Sequence, residues 1–331
     1  MFWQRLLFGM LMIAAVIGLV VLDARLSAGV PLDGYLPPDG TSVPALVGCG
    51  LPVALLVVGL VIFSTYELGR LCRSGQTDRQ PAGGGSGLNP VTHWAAFVGA
   101  GLVIIPWVGM QQRLGTMAPP AFAERMGLSL TVFWVMAGVL GSCLGVLSRK
   151  TTQQALANIA VTAFMILYLG LLGSFVVRIR GLRPGSDGAA LVALFMLTVK
   201  SGDIGAYFTG LAAGRHKLCP WLSPGKTIEG AVGAVVLAAG VAAGGVGLWG
   251  RVGFLPGTPP LTIAQAIMWG AVMAIAGHAG DLVESAFKRD LGAKDSGRVI
   301  PAFGGLLDLI DSPLLAAPLA WFLLTFWAPI R

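Results

Sequence analysis

Charged side chains concentrate in one short stretch near the C-terminus, residues 281–311. The 331-residue chain has 15 Asp or Glu and 22 Lys or Arg in total. Six of the acidic and four of the basic residues fall in this stretch: Asp281, Glu284, Lys288, Arg289, Asp290, Lys294, Asp295, Arg298, Asp308 and Asp311. Ionisable residues beside apolar segments mark functional sites by default, so this stretch is a candidate for chemistry. The alternative is a solvated loop whose charges only face water.

The spacing of these residues predicts two polar helix faces. Asp281, Glu284 and Lys288 lie at positions i, i+3 and i+7, which share one face of an α-helix. Asp308 and Asp311 are again three residues apart, immediately before the last apolar segment. Two helices that enter a membrane from one loop would bring the carboxylates of Asp281, Asp308 and Asp311 together.

Clustered carboxylates without His or Cys are typical ligands of a hard cation. Mg²⁺ is usually held by one or two protein carboxylates together with substrate phosphates. Neighbouring Lys and Arg side chains then bind phosphate oxygens. This combination favours phosphoryl or nucleotidyl transfer. A proton-coupled transporter is a weaker hypothesis, because such proteins bury isolated carboxylates near the middle of the bilayer.

A second polar stretch contains Ser223, Pro224, Lys226 and Thr227. Ser223 is a suitable N-cap and Pro224 a suitable first helical residue, so the sequence predicts a helix over 224–249. Lys226 and Thr227 would lie in its first turn, where backbone N–H groups and the helix dipole bind anions. The alternative is an ordinary cap with a lysine that reaches toward the headgroups.

The elements that must position these residues are membrane-spanning helices. Hydrophobic residues make up 55% of the chain and charged residues 11%, and the mean hydropathy is +0.80. Soluble domains have about 25% charged residues, so this chain is expected to face lipid. We predict an all-α, polytopic transmembrane helical bundle of about nine spans. These are 6–22, 44–64, 94–110, 128–148, 156–177, 188–213, 230–249, 264–280 and 312–329.

The sixth span is the least regular, because Lys200, Ser201 and Asp203 interrupt its apolar pattern. It is expected to be either a broken helix or a span followed by a re-entrant segment. Asp203 would then line a polar cavity, or it would mark a helix break where backbone groups satisfy the carboxylate.

Loop charges predict the orientation of the bundle. Basic residues after the second and fourth spans are typical of the cytoplasmic side, and alternation then places 214–229 and 281–311 there together. The loop at 177–188 disagrees, because its three arginines would lie outside. The net charge of +7 fits a membrane protein with basic loops, so no nucleic acid partner is expected.

We divide the chain into an N-terminal transmembrane region, 1–190, and a C-terminal catalytic region, 191–331. The first region contains a predicted flexible cytoplasmic linker at 73–92. This prediction rests on the Gly-, Ser- and Pro-rich composition of the segment.

The charged stretch also carries a resemblance to a known family. Its residues run from Ser285 to Arg289, from Lys294 to Gly297 and from Ile300 to Asp311. In this order they resemble the C-terminal signature of the phosphatidate cytidylyltransferases, also called CDP-diacylglycerol synthases. Phe303 stands where the family has His, and Leu309 where it has Arg.

Two further segments are similar to the same family: Asp203–Tyr207, and His216–Leu218 together with Ser223–Gly230. The resemblance is therefore strong over about 203–313. Over the first 190 residues it is limited to the presence of many spans.

The resemblance implies that an oxygen of phosphatidate attacks the α-phosphorus of CTP, giving CDP-diacylglycerol and pyrophosphate. It implies Mg²⁺ as the cofactor, with room for a two-metal site. CTP, phosphatidate or a related lipid phosphate, and membrane lipid are the expected partners, and homodimer formation is left open. The expected location is the bacterial inner membrane, with the catalytic loops in the cytoplasm.

The resemblance also implies a role for each candidate residue. Asp281 and Asp308 would bind metal, with Asp311 as a supporting or second-metal ligand. Lys288, Arg289 and Lys294 would neutralise the triphosphate and the developing pyrophosphate, and Asp295 would orient Lys294 or the nucleotide. Ser223, Lys226 and Thr227 would bind a phosphate of the lipid or of CTP. Asp203 would form part of the cavity wall.

The departures at Phe303 and Leu309 motivate two rival hypotheses. Loss of a charge-assisted contact costs about 1.5–3 kcal/mol, or about one to two powers of ten in rate, which slows an enzyme without abolishing it. One rival is a non-catalytic, lipid-binding relative. The other is a CTP-dependent enzyme that acts on a different lipid phosphate or on a polyprenol.

Overall fold

The structure is a computed structural model, and it describes most of the chain. The described residues are 18–19, 21–26, 50–74, 88–115, 120–150, 152–183, 185–249, 251, 259–293, 296–297 and 305–327, without the side chains of 112–115 and 120–126. Their helices are α1 (Leu51–Ser74), α2 (Thr92–Gly115), α3 (Pro120–Leu147), α4 (Ala155–Met165), α5 (Leu172–Arg180), α6 (Gly185–Ala213), α7 (Ile228–Leu248), α8 (Ile263–Asp290) and α9 (Leu307–Trp327). A π-helical turn, Ile166–Leu171, joins α4 to α5, and two short strands, β1 (Lys217–Cys219) and β2 (Ser223–Thr227), lie between α6 and α7.

The predicted all-α, polytopic transmembrane bundle is confirmed. In the described part of the chain, eight helical segments are long and apolar enough to cross a membrane, with α4 and α5 forming one of them. Each of them overlaps one of the nine predicted spans, from the second to the ninth. The first predicted span, 6–22, lies mostly outside the described residues, as does most of the predicted linker at 73–92. The chain is therefore an integral membrane protein.

Helix α6 is continuous, so the expected break in the sixth span is wrong. Two of the polar residues at the expected break form hydrogen bonds within the helix. Lys200 Nζ donates to Asp203 Oδ2 at 3.0 Å, and Ser201 Oγ donates to the Thr198 carbonyl at 2.8 Å. Because these contacts leave the backbone hydrogen bonds intact, the helix can carry charged residues without unwinding.

The segment around Ser223 is a strand and not the start of a helix, so the predicted helix over 224–249 is wrong at its N-terminus. Strand β2 pairs antiparallel with β1, with Lys217 opposite Thr227. Helix α7 begins at Ile228, and its N-cap is Thr227, whose Oγ1 accepts from the Gly230 N–H at 3.1 Å. Strand pairing satisfies the backbone of this segment, so the cap lies four residues later than predicted.

The chain forms two compact units that are discontinuous in sequence. One contains Ala54–Val177 and Phe287–Ile310, and the other contains Arg178–Ala286 and the chain from Asp311 onward. The sequence-based division at residue 190 is contiguous, whereas these units alternate along the chain. We call them the first and the second unit.

In the first unit, α2 and α3 pack through two tryptophans that lie against glycines of the opposite helix. A Cβ on Gly141 would lie 2.2 Å from the Trp94 ring, and the Trp94 Nε1–H donates to the Gly138 carbonyl at 3.0 Å. Trp134 lies in the same way against Gly101. Only glycine leaves room for these rings, so the two helices approach closely along this face.

In the second unit, small residues bring α7 close to both α6 and α8. A Cβ on Gly205 of α6 would lie 2.6 Å from the Gly233 carbonyl of α7. A Cβ on Gly270 of α8 would lie 2.6 Å from the Ala238 carbonyl of α7. Helices in lipid associate mainly by such close packing, because lipid provides no hydrophobic drive between them.

Two arginines of the basic loop at 177–188 form ion pairs. Arg180 forms an ion pair with Asp23 of the helical segment 21–26, and both side chains are fully buried. Arg183 is paired with Asp187 at 3.5 Å. These contacts give both arginines a structural role, which explains why the loop can depart from the charge rule for loops.

The packing predicts that Gly270→Ala destabilises the second unit, because the added methyl group meets backbone atoms of α7. We expect a loss of about 1–3 kcal/mol, the usual cost of overpacking. The matched control is Gly240→Ala on α7, where a Cβ meets nothing within 4 Å, and where alanine favours the helix by up to about 1 kcal/mol. Thermal unfolding in detergent measures both, and equal melting temperatures for the two variants would contradict the packing.

Candidate active site

A pocket of about 360 Å³ with charged side chains in its wall lies within the second unit. Helix α6, strand β2, the first turn of α7 and the middle of α8 each contribute to its wall. The lining residues are Asp203, Ala206, Tyr207, Gly210, Leu211, Gly225, Lys226, Thr227, Gly230, His278 and Asp281. Charged residues that are scarce in this chain therefore converge on one cavity among membrane-spanning helices.

Lys226 and Asp281 form the central ion pair of the pocket. Lys226 Nζ donates to Asp281 Oδ2 at 3.1 Å and to the His278 carbonyl at 3.4 Å. Strand β2 carries Lys226 to α8, since the hairpin ends one residue later at the N-cap Thr227. The pair thus depends on the hairpin that replaces the predicted first turn of helix.

A second carboxylate, that of Asp311, lies beside Asp281. Ser312 Oγ donates to Asp281 Oδ1 at 2.6 Å and lies 3.3 Å from Asp311 Oδ1. The Ser312 N–H donates to the same oxygen of Asp311 at 2.6 Å. A Cβ on Gly280 would lie 2.5 Å from the Asp311 carbonyl, so this glycine allows α8 and α9 to approach at the carboxylates.

Two further ionisable residues of the second unit were not singled out as site residues from the sequence. His278 lines the pocket, and its Nδ1 lies 3.1 Å from the Ala274 carbonyl. A carbonyl only accepts hydrogen bonds, so this contact assigns a proton to Nδ1. Lys200 is bonded to the pocket residue Asp203. Because each is one residue within an apolar span, the local sequence does not identify either as a site residue.

The first unit contains a polar cluster around Asp308. Lys288 Nζ donates to Asp308 Oδ1 at 2.6 Å. The other oxygen, Oδ2, accepts from the Gly305 N–H at 2.7 Å, from Ser296 Oγ at 3.0 Å and from the Ser296 N–H at 3.3 Å. Asp308 therefore ties the segment around Ser296 and Gly305 to the start of α9. Glu67 of α1 reaches the same place, and its Oε2 accepts from the Leu307 N–H at 2.8 Å.

The predicted site residues that the structure describes fall in both units. Asp203, Lys226, Thr227 and Asp281 share the pocket, and Asp311 adjoins Asp281 in the same unit. Lys288 and Asp308 belong to the polar cluster of the first unit, and Arg289 is exposed at the end of α8, where its guanidinium donates to the Ala293 carbonyl. Ser223 lies in the hairpin, and Lys294 and Asp295 are outside the described residues.

The donor set of the second unit fits a hard divalent cation. Asp281 and Asp311 direct carboxylate oxygens toward one serine hydroxyl, and Mg²⁺ needs only one or two carboxylates when substrate phosphates complete its shell. Among the residues that the structure describes, no group of three or more His, Cys, Asp or Glu side chains is arranged to hold a metal. The arrangement thus suits a cation that arrives with a phosphate ligand.

Comparison with known proteins places the chain in a family. A model of the cytidylyltransferase family matches residues 40–327. Phosphatidate cytidylyltransferase of Bacillus subtilis is 32% identical over 209 residues, which are 63% of this chain and 73% of that protein. The enzyme of the same name from Mycobacterium leprae is 36% identical over 179 residues, 54% of each chain.

An uncharacterized Escherichia coli protein, YnbB, is also similar, with 41% identity over 143 residues. That match covers 42% of this chain and 44% of the relative. With several of these relatives, therefore, the chain aligns over only about half of the relative's length.

Proposed function

Because the chain belongs to the cytidylyltransferase family, we propose that it transfers CMP from CTP to the phosphate of phosphatidate, giving CDP-diacylglycerol and pyrophosphate. The observation that carries the proposal is the convergence of Asp203, Lys226, Thr227 and Asp281 on one pocket among membrane-spanning helices. One substrate stays in the bilayer and the other is water-soluble, so a polar pocket in a membrane bundle suits both.

The proposed step exchanges one phosphoanhydride bond for another. An oxygen of the lipid phosphate attacks the α-phosphorus of CTP and forms a new P–O–P bond. The bond between the α-phosphorus and its bridging oxygen to the β-phosphorus breaks, and pyrophosphate leaves with the electron pair. Negative charge accumulates on the phosphates during this exchange, so cations and N–H donors aimed at them lower the barrier.

Lys226 and the N-terminus of α7 form the proposed phosphate site. The first turn of a helix favours anions, and Lys226 adds a full positive charge immediately before the N-cap Thr227. An incoming phosphate competes with Asp281 for Lys226, so substrate binding would release the Asp281 carboxylate. Until substrate and cation bind, the ion pair neutralises the charge of the Lys226 ammonium group and that of the Asp281 carboxylate.

Asp281 and Asp311 are the residues of this unit that would hold Mg²⁺. When bound, the ion screens the phosphate charges and polarises the phosphorus–oxygen bonds. Asp308 stays a sequence-based prediction as a metal ligand, and its carboxylate already accepts hydrogen bonds from Lys288, Ser296 and Gly305. Lys288, Arg289 and Lys294 are proposed to neutralise the triphosphate and the developing pyrophosphate, and Asp295 to orient Lys294 or the nucleotide.

Localisation to the bacterial inner membrane, with the catalytic loops in the cytoplasm, belongs to the same proposal. It is supported by the bacterial origin of the named relatives and by the loop charges. A cytoplasmic site gives direct access to CTP.

We expect the purified protein in detergent to transfer label from α-labelled CTP to phosphatidate in the presence of Mg²⁺. Asp281→Asn should lower the rate at least about 100-fold, because it removes a carboxylate from both the proposed cation and Lys226. The matched control is Asp290→Asn, an exposed aspartate at the end of the same helix, which should keep the rate of the original protein. Label in the organic phase, measured over time, gives the rate.

Other results of this assay would support one of the two rival hypotheses. No transfer by the original protein, with transfer by Phe303→His combined with Leu309→Arg, would identify a relative that has lost turnover. Transfer to another lipid phosphate, with phosphatidate refused, would overturn only the choice of lipid.

The hairpin offers a second test through its two lysines. Lys226→Gln should lower kcat/KM for CMP transfer about 10- to 100-fold, since a charge-assisted phosphate contact is worth about 1.5–3 kcal/mol. Lys217→Gln changes the net charge equally in the exposed strand β1 and should leave kcat/KM unchanged. Steady-state kinetics measure kcat/KM for both variants, and an equal decrease in the two would contradict a specific role for Lys226.

A further inference from the structure

Glu67 is a buried carboxylate within a membrane-spanning helix that the proposed reaction does not use. It lies in α1 of the first unit and is 8% exposed. A carboxylate in this setting is costly unless its surroundings compensate it, and such residues are retained for a function by default. Its contacts are therefore informative.

The carboxylate caps the last described helix. Glu67 Oε2 accepts from the Leu307 N–H at 2.8 Å, and Leu307 is the first residue of α9. The first N–H groups of a helix have no acceptor within the helix, and an anion at this end also interacts favourably with the helix dipole. Glu67 thus fixes the position at which α9 begins.

Two glycines pack closely against the same carboxylate. A Cβ on Gly297 would lie 1.9 Å from Glu67 Oε1, and a Cβ on Gly305 would lie 2.2 Å from it. Neither glycine has a positive φ, so space and not backbone conformation explains the need for glycine here. The carboxylate therefore packs against the chain on both sides of the segment 298–304.

Glu67 and Asp308 both contact Gly305. Asp308 Oδ2 accepts from the Gly305 N–H and from Ser296, while Glu67 packs against Gly305 and Gly297 and binds Leu307. Lys288 completes this cluster through its contact with Asp308. If the Glu67 carboxylate were removed, the N-terminus of α9 would lose its acceptor, and the Asp308 side chain would lose the fixed start of its helix.

We propose that Glu67 is a positioning residue, which holds Gly297, Gly305 and Leu307 so that Asp308 and Lys288 keep their orientation for CMP transfer. The catalytic part of this inference rests on the proposed function. The mechanical part, the tie between Glu67 and Leu307, does not. An alternative is a purely structural cap that stabilises the protein and leaves turnover unchanged.

The test compares Glu67→Leu, which removes the acceptor at similar size, with Glu67→Gln, which retains an acceptor oxygen. Tyr66→Phe is the control, because Tyr66 is exposed on the same helix and bonds only to His93 among the contacts described for it. Hydrogen exchange of the Leu307 amide reports the tie directly. We expect exchange about five- to tenfold faster in Glu67→Leu, the effect of losing one helix cap, and close to that of the original protein in Glu67→Gln.

CMP transfer by the same variants reports the positioning role. We expect kcat to fall about tenfold or more in Glu67→Leu, with the KM for CTP little changed and with substantial rescue in Glu67→Gln. Unchanged Leu307 exchange in Glu67→Leu would overturn the tie. Faster exchange with unchanged kcat would overturn the positioning role and leave a structural cap.

A second variant tests the proposal if Glu67→Leu does not fold, and the exchange measurement separates it from the proposed function. If Glu67→Leu does not fold, Gly297→Ala displaces the same carboxylate, because the three atoms nearest to the added Cβ all belong to Glu67, the closest at 1.9 Å. This variant should reproduce both effects, so normal exchange and normal kcat in it would overturn the proposal. If the original protein transfers no CMP, the proposed function fails and the positioning role fails with it, while the exchange measurement still decides the tie between Glu67 and Leu307.

Discussion

An ionised side chain inside a membrane-spanning helix must be compensated by another charge or by hydrogen bonds, because lipid supplies neither. In the second unit this constraint is met by the Lys226–Asp281 pair, at 3.1 Å. The local structure around the pocket follows from it. The hairpin carries Lys226 to α8, Thr227 caps α7 directly afterwards, and Gly280 lets Asp311 approach Asp281. In the first unit Lys288 and Asp308 meet the same constraint at 2.6 Å.

Compensation of this kind is also what makes the pocket suitable for chemistry. A lysine paired with a carboxylate can exchange that partner for a phosphate, and the carboxylate can exchange the lysine for a divalent cation. Both exchanges keep charge balanced in a medium where imbalance is costly. Nucleotidyl transfer to a lipid phosphate needs these two ligands at one place, so the resting ion pair and the proposed active state use the same residues.

The sequence predicted the spans well, since lipid forces apolar runs of helical length, and it did less well wherever partners are distant in sequence. The predicted helical face of Asp281, Glu284 and Lys288 is confirmed, because α8 continues from the apolar span as far as Asp290. Ser223 and Thr227 both satisfy the local rules for an N-cap, and only pairing with β1 decides for Thr227. Glu67 was missed, because its partner Leu307 is 240 residues away and no local spacing reveals it.

The central claim is that the α-phosphorus of CTP, and not its γ-phosphorus, is the atom attacked by the lipid. The most direct measurement uses CTP that carries different phosphorus isotopes at the α and γ positions, with phosphatidate and Mg²⁺. The account predicts that the α label enters the lipid phase and that the γ label leaves in pyrophosphate, in equal amounts. Entry of the γ label into lipid, or release of both labels in water-soluble products, would contradict it.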